Sequence, residues 1–218
     1  MDETVKKRAS LTDLARRHFK GILDPVAAVL VRWGLKPNTM TLMGLGMNIV
    51  GAVCLSQGWM TTGGLLILLA GPFDGLDGTM ARQLGQPTKF GAFVDSVTDR
   101  WSEMLIFLGL LYYYLQRQSP ESALACILVF VATMGSVMVS YTKARAEALG
   151  FVCNVGVLTR LERFLVLAPL LIVRQPYMAL WVIAVLANVT ALQRALYVRR
   201  QARSKQGCSH LPTPQVLD

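Results

Sequence analysis

Five of the chain's thirteen acidic residues, Asp74, Asp77, Asp95, Asp99 and Glu103, fall within one 30-residue window of otherwise apolar sequence. A carboxylate inside a bilayer costs about 2.5–3.5 kcal/mol on insertion scales, so an intramembrane acid is a functional residue by default. Asp74 and Asp77 are spaced i, i+3, and Gly78, Ala81 and Arg82 share their arc of about 140° on a helix. Gly91, Asp95 and Asp99 form an i, i+4, i+8 stripe on the next segment. Measured at about 1.5 Å per residue from the connection that contains Gly85 and Pro87, Asp77 and Asp95 lie about 10 and 8 Å deep, Asp74 and Asp99 about 15 and 13 Å. The spacing predicts an antiparallel helix pair whose four carboxylates meet in two matched layers. Gly78 and Gly91 leave room beside them for a ligand or a close helix.

Four carboxylates converging in a low dielectric repel one another unless a cation sits between them. Oxygen ligands select a hard divalent ion, Mg²⁺ or Mn²⁺. Zinc is disfavoured, because His18 and His210 lie near opposite ends of the chain. The four cysteines, Cys54, Cys126, Cys153 and Cys208, are scattered with no CxxC pair and read as reduced thiols. A magnesium site built of carboxylates implies a phosphate or pyrophosphate ligand, and Arg82, one turn nearer the connection, supplies positive charge for it. No P-loop pattern occurs.

The elements that position these residues are membrane helices. The 218 residues are 53% hydrophobic and 16% charged, against about 45–50% and ~25% in soluble domains, and mean hydropathy is +0.44. Disordered, collagen-like and disulfide-scaffold classes are excluded, and a +9 net charge on so apolar a chain fits basic membrane edges better than a nucleic-acid surface. Six stretches approach the length of a span: 39–57, 61–84, 90–116, 121–144, 160–175 and 177–198. In that arrangement all but three of the 22 Lys and Arg residues, Arg100, Arg117 and Arg174, fall on one side. Both termini and the acidic window are therefore expected on the cytoplasmic side of the cell membrane.

Residues 1–36 read as a cytoplasmic segment without a cleavable signal. Within it, residues 10–34 pattern as an amphipathic interfacial helix with Leu11, Leu14, Phe19, Ile22, Leu23, Val26, Leu30 and Trp33 on its apolar side. Residues 37–200 form the six-helix domain, and 201–218 a disordered tail. The fold class is thus an all-α integral membrane protein. A cation transporter lined by carboxylates is the alternative from another class. It needs polar residues across the outer half as well, where the second and third spans offer only Thr61, Thr62 and tyrosines, and no internal repeat supports it.

The run Asp74-Gly-Leu-Asp77-Gly78-Thr-Met-Ala81-Arg82, then Gly91, Asp95 and Asp99, matches D-x2-D-G-x2-A-R-x8-G-x3-D-x3-D at every fixed position. It resembles the signature of the CDP-alcohol phosphatidyltransferase family, over about residues 10–200. Within that family, Tyr141-Thr-Lys143-Ala-Arg145-Ala-Glu147 and Thr159-Arg160-Leu-Glu162-Arg163 resemble the bacterial phosphatidylinositol phosphate synthases. Asp95-Ser-Val-Thr-Asp99-Arg100 departs from the D-P-V-A-D-K form of the phosphatidylglycerophosphate synthases.

The resemblance implies attack by an alcohol hydroxyl on the β-phosphorus of CDP-diacylglycerol, with release of CMP. The alcohol is a phosphorylated polyol, inositol phosphate first and glycerol 3-phosphate as the alternative. It implies two Mg²⁺ ions (Mn²⁺ as substitute) held by Asp74, Asp77, Asp95 and Asp99, with Asp99 also the general base. It places nucleotide contacts at Pro37, Asn38, Thr39, Met40, Gly78, Arg82 and Thr88. From the residues alone, Pro37-Asn38-Thr39 is equally a helix start with Asn38 as N-cap. Lys143, Arg145, Arg160, Arg163 and Arg194 become the candidates for the acceptor's phosphate. Lys143 with Glu147 is also an i, i+4 ion pair, and Lys143 and Arg145 point about 200° apart, so both cannot face one pocket from a regular helix. Glu103 is expected to orient a ligand or neutralise Arg100. The resemblance further implies a homodimer.

Overall fold

The computed structural model describes residues 23–85, 88–117 and 119–208. Within them all regular structure is helical: α1 (23–32), α2 (Pro37–Ser56), α3 (Met60–Gln83), α4 (Lys89–Leu115), α5 (Pro120–Ala148), α6 (Arg160–Ile172) and α7 (Pro176–Cys208). Proline opens α2, α5 and α7, where its missing N–H has no helical partner to lose. Thr88 caps α4 by accepting the Gly91 N–H at 3.0 Å. The turn between α2 and α3 needs a positive φ, which Gly58 supplies at 84°.

Among the described residues, three helices, α2, α5 and α7 as far as Arg203, are long and apolar enough to cross a membrane. α3 and α4 have the length but carry the acidic window, and α6 has only 13 residues. Large apolar side chains such as Leu69, Leu108, Ile127, Phe130 and Leu192 stand exposed around the bundle, a surface suited to lipid.

The packing follows a closed circuit. α2 packs on α3, α3 on α6, α6 on α7, α7 on α5, α5 on α4, and α4 back on α2. This corrects the expected α3–α4 pair: the two helices joined by the short acidic-window connection each pack on α2 instead. Small residues permit it. A Cβ on Gly63 would stand 3.0 Å from the Gly51 carbonyl of α2, and one on Gly109 of α4 would strike the Ala52 carbonyl. α2 is therefore wedged against both helices, and α4 and α6 face each other across the circuit. A core of Leu55, Ile67, Phe107, Leu110, Leu171, Leu180 and Ile183 fills one end. At the other, α1 contributes Ala27 to a second cluster with Met40, Leu76 and Met80.

Of the expected amphipathic helix, α1 packs Leu23 and Leu30 inward while Val26, and Trp33 just past its end, are exposed. The remainder of the expected amphipathic helix, including Leu11, Leu14, Phe19 and Ile22, lies outside the described residues. The segment expected to be disordered from residue 201 continues α7 to Cys208, because the polar sequence there contains no helix-breaking residue before Gly207. Residues 209–218, with His210, lie outside the description, as does the Gln86-Pro87 turn.

Candidate active site

Arg160, the first residue of α6, reaches carboxylates on both α3 and α4. Its Nη2 donates to Asp74 Oδ2 at 2.6 Å and stands 2.6 Å from Asp99 Oδ1. The position of Arg160 is set by a capping box: the Thr159 N–H donates to the Glu162 carboxylate, so α6 begins at residue 160. Asp95 lies within electrostatic reach of Arg160 and Asp74, and Asp77 within reach of Asp95 and Asp74. Asp74 and Asp99, the deeper couple of the four aspartates, share one guanidinium, and Asp95 and Asp77 interact with them electrostatically.

Among the described residues, no three His, Cys, Asp or Glu side chains close around one point as metal ligands do. Arg160 Nη2 stands between Asp74 and Asp99 at 2.6 Å from each, farther than the about 2.0–2.1 Å of a coordinated magnesium. The donor set is nevertheless that of a hard divalent ion: oxygen only, more negative charge than Arg160 offsets, and already organised around a cation.

Two of the acids are held from behind by α2. Asp77 is 6% exposed, and both its oxygens are engaged: Thr41 Oγ1 donates to Oδ2 at 2.6 Å, and the Gly78 N–H to Oδ1 at 2.5 Å. Asp74 Oδ1 lies 3.1 Å from where a Cβ on Gly44 would stand, so that glycine makes room for the carboxylate. Thr41 escaped the sequence reading. The available signal was a hydroxyl residue one turn into an apolar helix, on the same face as Pro37.

The expected nucleotide contacts divide. Gly78 keeps open space beside it, with Arg82 Nη1 3.5 Å from where its Cβ would be. Arg82 is steadied by Nη2 donating to Thr79 Oγ1 at 3.0 Å, which donates in turn to the Gly75 carbonyl at 2.9 Å. Thr88 is the α4 cap, and its Oγ1 takes the space expected free at Gly91. Pro37 is the first residue of α2. The N-cap is Lys36, which corrects the assignment of Asn38, because proline's fixed φ takes the first helical position and moves Asn38 one further in. Asn38 is exposed and Thr39 half-buried, whereas the Met40 side chain is core, 1% exposed against Ala27, Leu76 and Met80.

The five basic candidates do not form one cluster. Arg160 stands among the acids. Arg163, 2% exposed, is bound bidentately to Glu103, with Nε–Oε1 at 2.7 Å and Nη2–Oε2 at 2.9 Å. Glu103 therefore neutralises Arg163 rather than Arg100, whose Nη1 donates to the Ser96 carbonyl and lies 3.9 Å from Asp99. Arg194 is 5% exposed, donating to the carbonyls of Val155 at 2.8 Å and Val139 at 2.6 Å, within electrostatic reach of Arg163. It is a buried cation held by neutral carbonyls, with Glu147 and Glu162 in electrostatic reach but, among the described residues, no carboxylate in direct contact. Lys143 pairs with Glu147 at 3.7 Å, and Arg145 is exposed.

Comparison with known proteins places this arrangement. The family model described as CDP-alcohol phosphatidyltransferase matches residues 35–196. The chain is 37% identical over 210 residues to a phosphatidylinositol phosphate synthase of Streptomyces avermitilis, covering 89% of this chain and 85% of that protein. It is 36% identical over 194 residues to the protein of the same name from Mycobacteroides abscessus, covering 85% and 87%. Among solved structures, the phosphatidylinositol phosphate synthase of Mycobacterium tuberculosis with CDP-DAG bound superposes with a TM-score of 0.74 at 32% identity, over 81% of this chain and 93% of that one. The same enzyme in complex with manganese and citrate gives 0.74 at 31%, over 81% and 88%.

Proposed function

The chain belongs to the CDP-alcohol phosphatidyltransferase family, and from that premise we propose that it transfers a phosphatidyl group from CDP-diacylglycerol to a phosphorylated polyol, inositol phosphate in the first place, releasing CMP. One observation carries the reading: Asp74 and Asp99 share the Arg160 guanidinium, with Asp95 in its electrostatic reach and Asp77 in that of Asp74 and Asp95, in a chain similar over most of its length to phosphatidylinositol phosphate synthases.

The four aspartates would hold two Mg²⁺ ions, or Mn²⁺ in their place. When bound, such ions neutralise a pyrophosphate and stabilise the attacking and leaving oxygens of an in-line displacement. The remaining work belongs to the chain. Arg82, braced by Thr79 and lying over Gly78, receives the nucleotide phosphates, with Asn38 and Thr39 at the start of α2. Arg194 and Arg160 receive the acceptor's phosphate, and Lys143 joins them by leaving Glu147. As Arg160 turns from Asp99 to that phosphate, it bares the Oδ1 that takes the hydroxyl proton. The acceptor oxygen then bonds to the β-phosphorus, the bond from that phosphorus to the CMP oxygen breaks, and CMP leaves with the electron pair.

The proposal includes six membrane crossings, with α3, α4 and α6 completing the three long apolar helices. It sets residues 37–200 as the catalytic domain, both termini and the site on the cytoplasmic side of the cell membrane, α1 along the interface, and assembly as a homodimer. The test is CMP release by the purified protein in lipid, given CDP-diacylglycerol and Mg²⁺ with inositol 1-phosphate or glycerol 3-phosphate. Faster release with inositol 1-phosphate is expected. Preference for glycerol 3-phosphate overturns the acceptor, and release with neither overturns the activity.

A further inference from the structure

Two ion pairs cross the circuit between α4 and α6, and they repeat with the helix period. Asp99 and Glu103 are one turn apart on α4, Arg160 and Arg163 one turn apart on α6, and each pair joins across the gap. The members differ in character. Arg160 has a side chain 43% exposed and a single nitrogen shared between two acids, so it can leave. Arg163 is 2% exposed, clamped by two parallel bonds to Glu103, with Nη1 3.4 Å from the Leu158 carbonyl. Bidentate guanidinium–carboxylate pairs are the geometrically most constrained ion pairs available to a protein. Neighbours around the circuit pack directly, whereas α4 and α6 face each other across it, so this bridge sets their separation where little packing does.

We propose that Glu103 and Arg163 are positioning residues for the acceptor side of the reaction: their bridge fixes the first turn of α6 against α4, and so delivers Arg160 to the distance from Asp99 at which one acceptor molecule reaches both. The Leu158 contact extends the effect. Leu158 N–H also donates to Thr190 Oγ1 at 3.0 Å on α7, one turn from Arg194, so the bridge ties the loop before α6 to the second acceptor arginine. Arg163 is 2% exposed and directs Nε and Nη2 at Glu103, so the pair acts through Arg160 and Arg194. The inference rests on the acceptor reading above.

The test is Glu103→Gln, which keeps the shape and removes the charge. The expected result is a rise of about tenfold or more in the acceptor KM, with the KM for CDP-diacylglycerol within twofold of wild type and a normal elution profile. A folded variant with both constants unchanged, or with both raised alike, overturns the proposal. If Glu103→Gln does not fold, Glu103→Asp keeps the charge and shortens the bridge. It must still raise the acceptor KM selectively, and its failure to fold or to do so assigns the pair a purely structural role. Whichever phosphorylated acceptor the wild type uses serves the assay. If it uses neither, the activity reading has failed separately, and the bridge is read from spin labels at Ala92 and Val157 in a chain with its four cysteines replaced by alanine. Their distance distribution broadens in Glu103→Gln if the bridge sets the spacing, and is unchanged if it does not.

Discussion

The buried hydroxyl of Thr41 on α2 donates to Asp77 Oδ2 on α3 at 2.6 Å, with Thr41 4% and Asp77 6% exposed. Together with the Gly78 N–H on Oδ1, it fixes both oxygens of the most enclosed acid in the signature. α2 therefore serves the site as well as the fold: it packs on α3 and α4 and supplies, from behind, the group that aims a carboxylate held by α3.

Thr41→Val keeps the volume and removes the donor. Partners that orient metal-binding side chains typically contribute 10–100-fold in affinity, so manganese binding should weaken by about that range while the protein elutes normally. Thr41→Ser, which restores the hydroxyl, should recover most of it. A direct titration followed by the electron-spin signal of free Mn²⁺ reads both variants without turnover. Equal affinity in wild type and Thr41→Val would show that Asp77 needs no support from α2.

Arg160→Gln should move two constants in opposite senses. Its guanidinium holds the place between Asp74 and Asp99 that a divalent ion would take, so removing it abolishes an internal competitor. A ligand that must displace another binds more weakly by the cost of that displacement. Manganese affinity in the absence of substrates should therefore rise, by about tenfold. The acceptor KM should rise as well, because the same residue meets the acceptor's phosphate. Unchanged manganese affinity would mean that the guanidinium and the ion do not compete.

What the sequence disclosed was what chemistry of residue type and period can encode. Acids at i, i+3 and i, i+4 in an apolar run had to be gathered on helix faces, and they are. Helices α2 to α7 fall within a few residues of the expected stretches, apart from α6, which stops at Ile172, and the ends of α5 and α7, which run to Ala148 and Cys208. Which helices touch was not legible. The α3–α4 pair was inferred from a short connection, but whether neighbours in sequence pack is decided by surface shape, and Gly63 and Gly109 open α3 and α4 to α2 instead. Pairing of charges was illegible for the same reason. Glu103 has Arg100 within one turn, yet the bidentate partner comes from a helix sixty residues on. Met40 shows the limit of a motif: adjacent residues share a helix but not a face, so Met40 packs in the core while Thr41 beside it reaches Asp77.

The wedge can be tested at two glycines. A Cβ on Gly109 would run into the Ala52 carbonyl of α2, backbone that cannot rotate away, whereas a Cβ on Gly46 meets nothing within 4 Å. Gly109→Ala should cost about 1–3 kcal/mol through overpacking. Gly46→Ala should be neutral or stabilise by up to about 1 kcal/mol, because alanine is the better residue in a helix interior. Unfolding midpoints in one detergent give the order directly. Equal midpoints would mean that α2 and α4 do not approach as closely as described.

The two buried arginines should separate stability from acceptor binding. Arg163→Met leaves the Glu103 carboxylate, 18% exposed, without its bidentate partner. Removing one member of a buried pair typically costs about 3–5 kcal/mol, because the other charge is stranded. Arg194→Met strands only the Val139 and Val155 carbonyls, a loss of about 1–3 kcal/mol, but it deletes a cation that, among the described residues, no carboxylate contacts directly. Arg163→Met should thus have the lower unfolding midpoint of the two. Arg194→Met should fold well enough to assay and lose acceptor affinity by about tenfold or more. The reverse order of midpoints would mean that Arg194 is the structural cation and Arg163 the one whose charge is free, and would return Glu103 to the substrate side of the site.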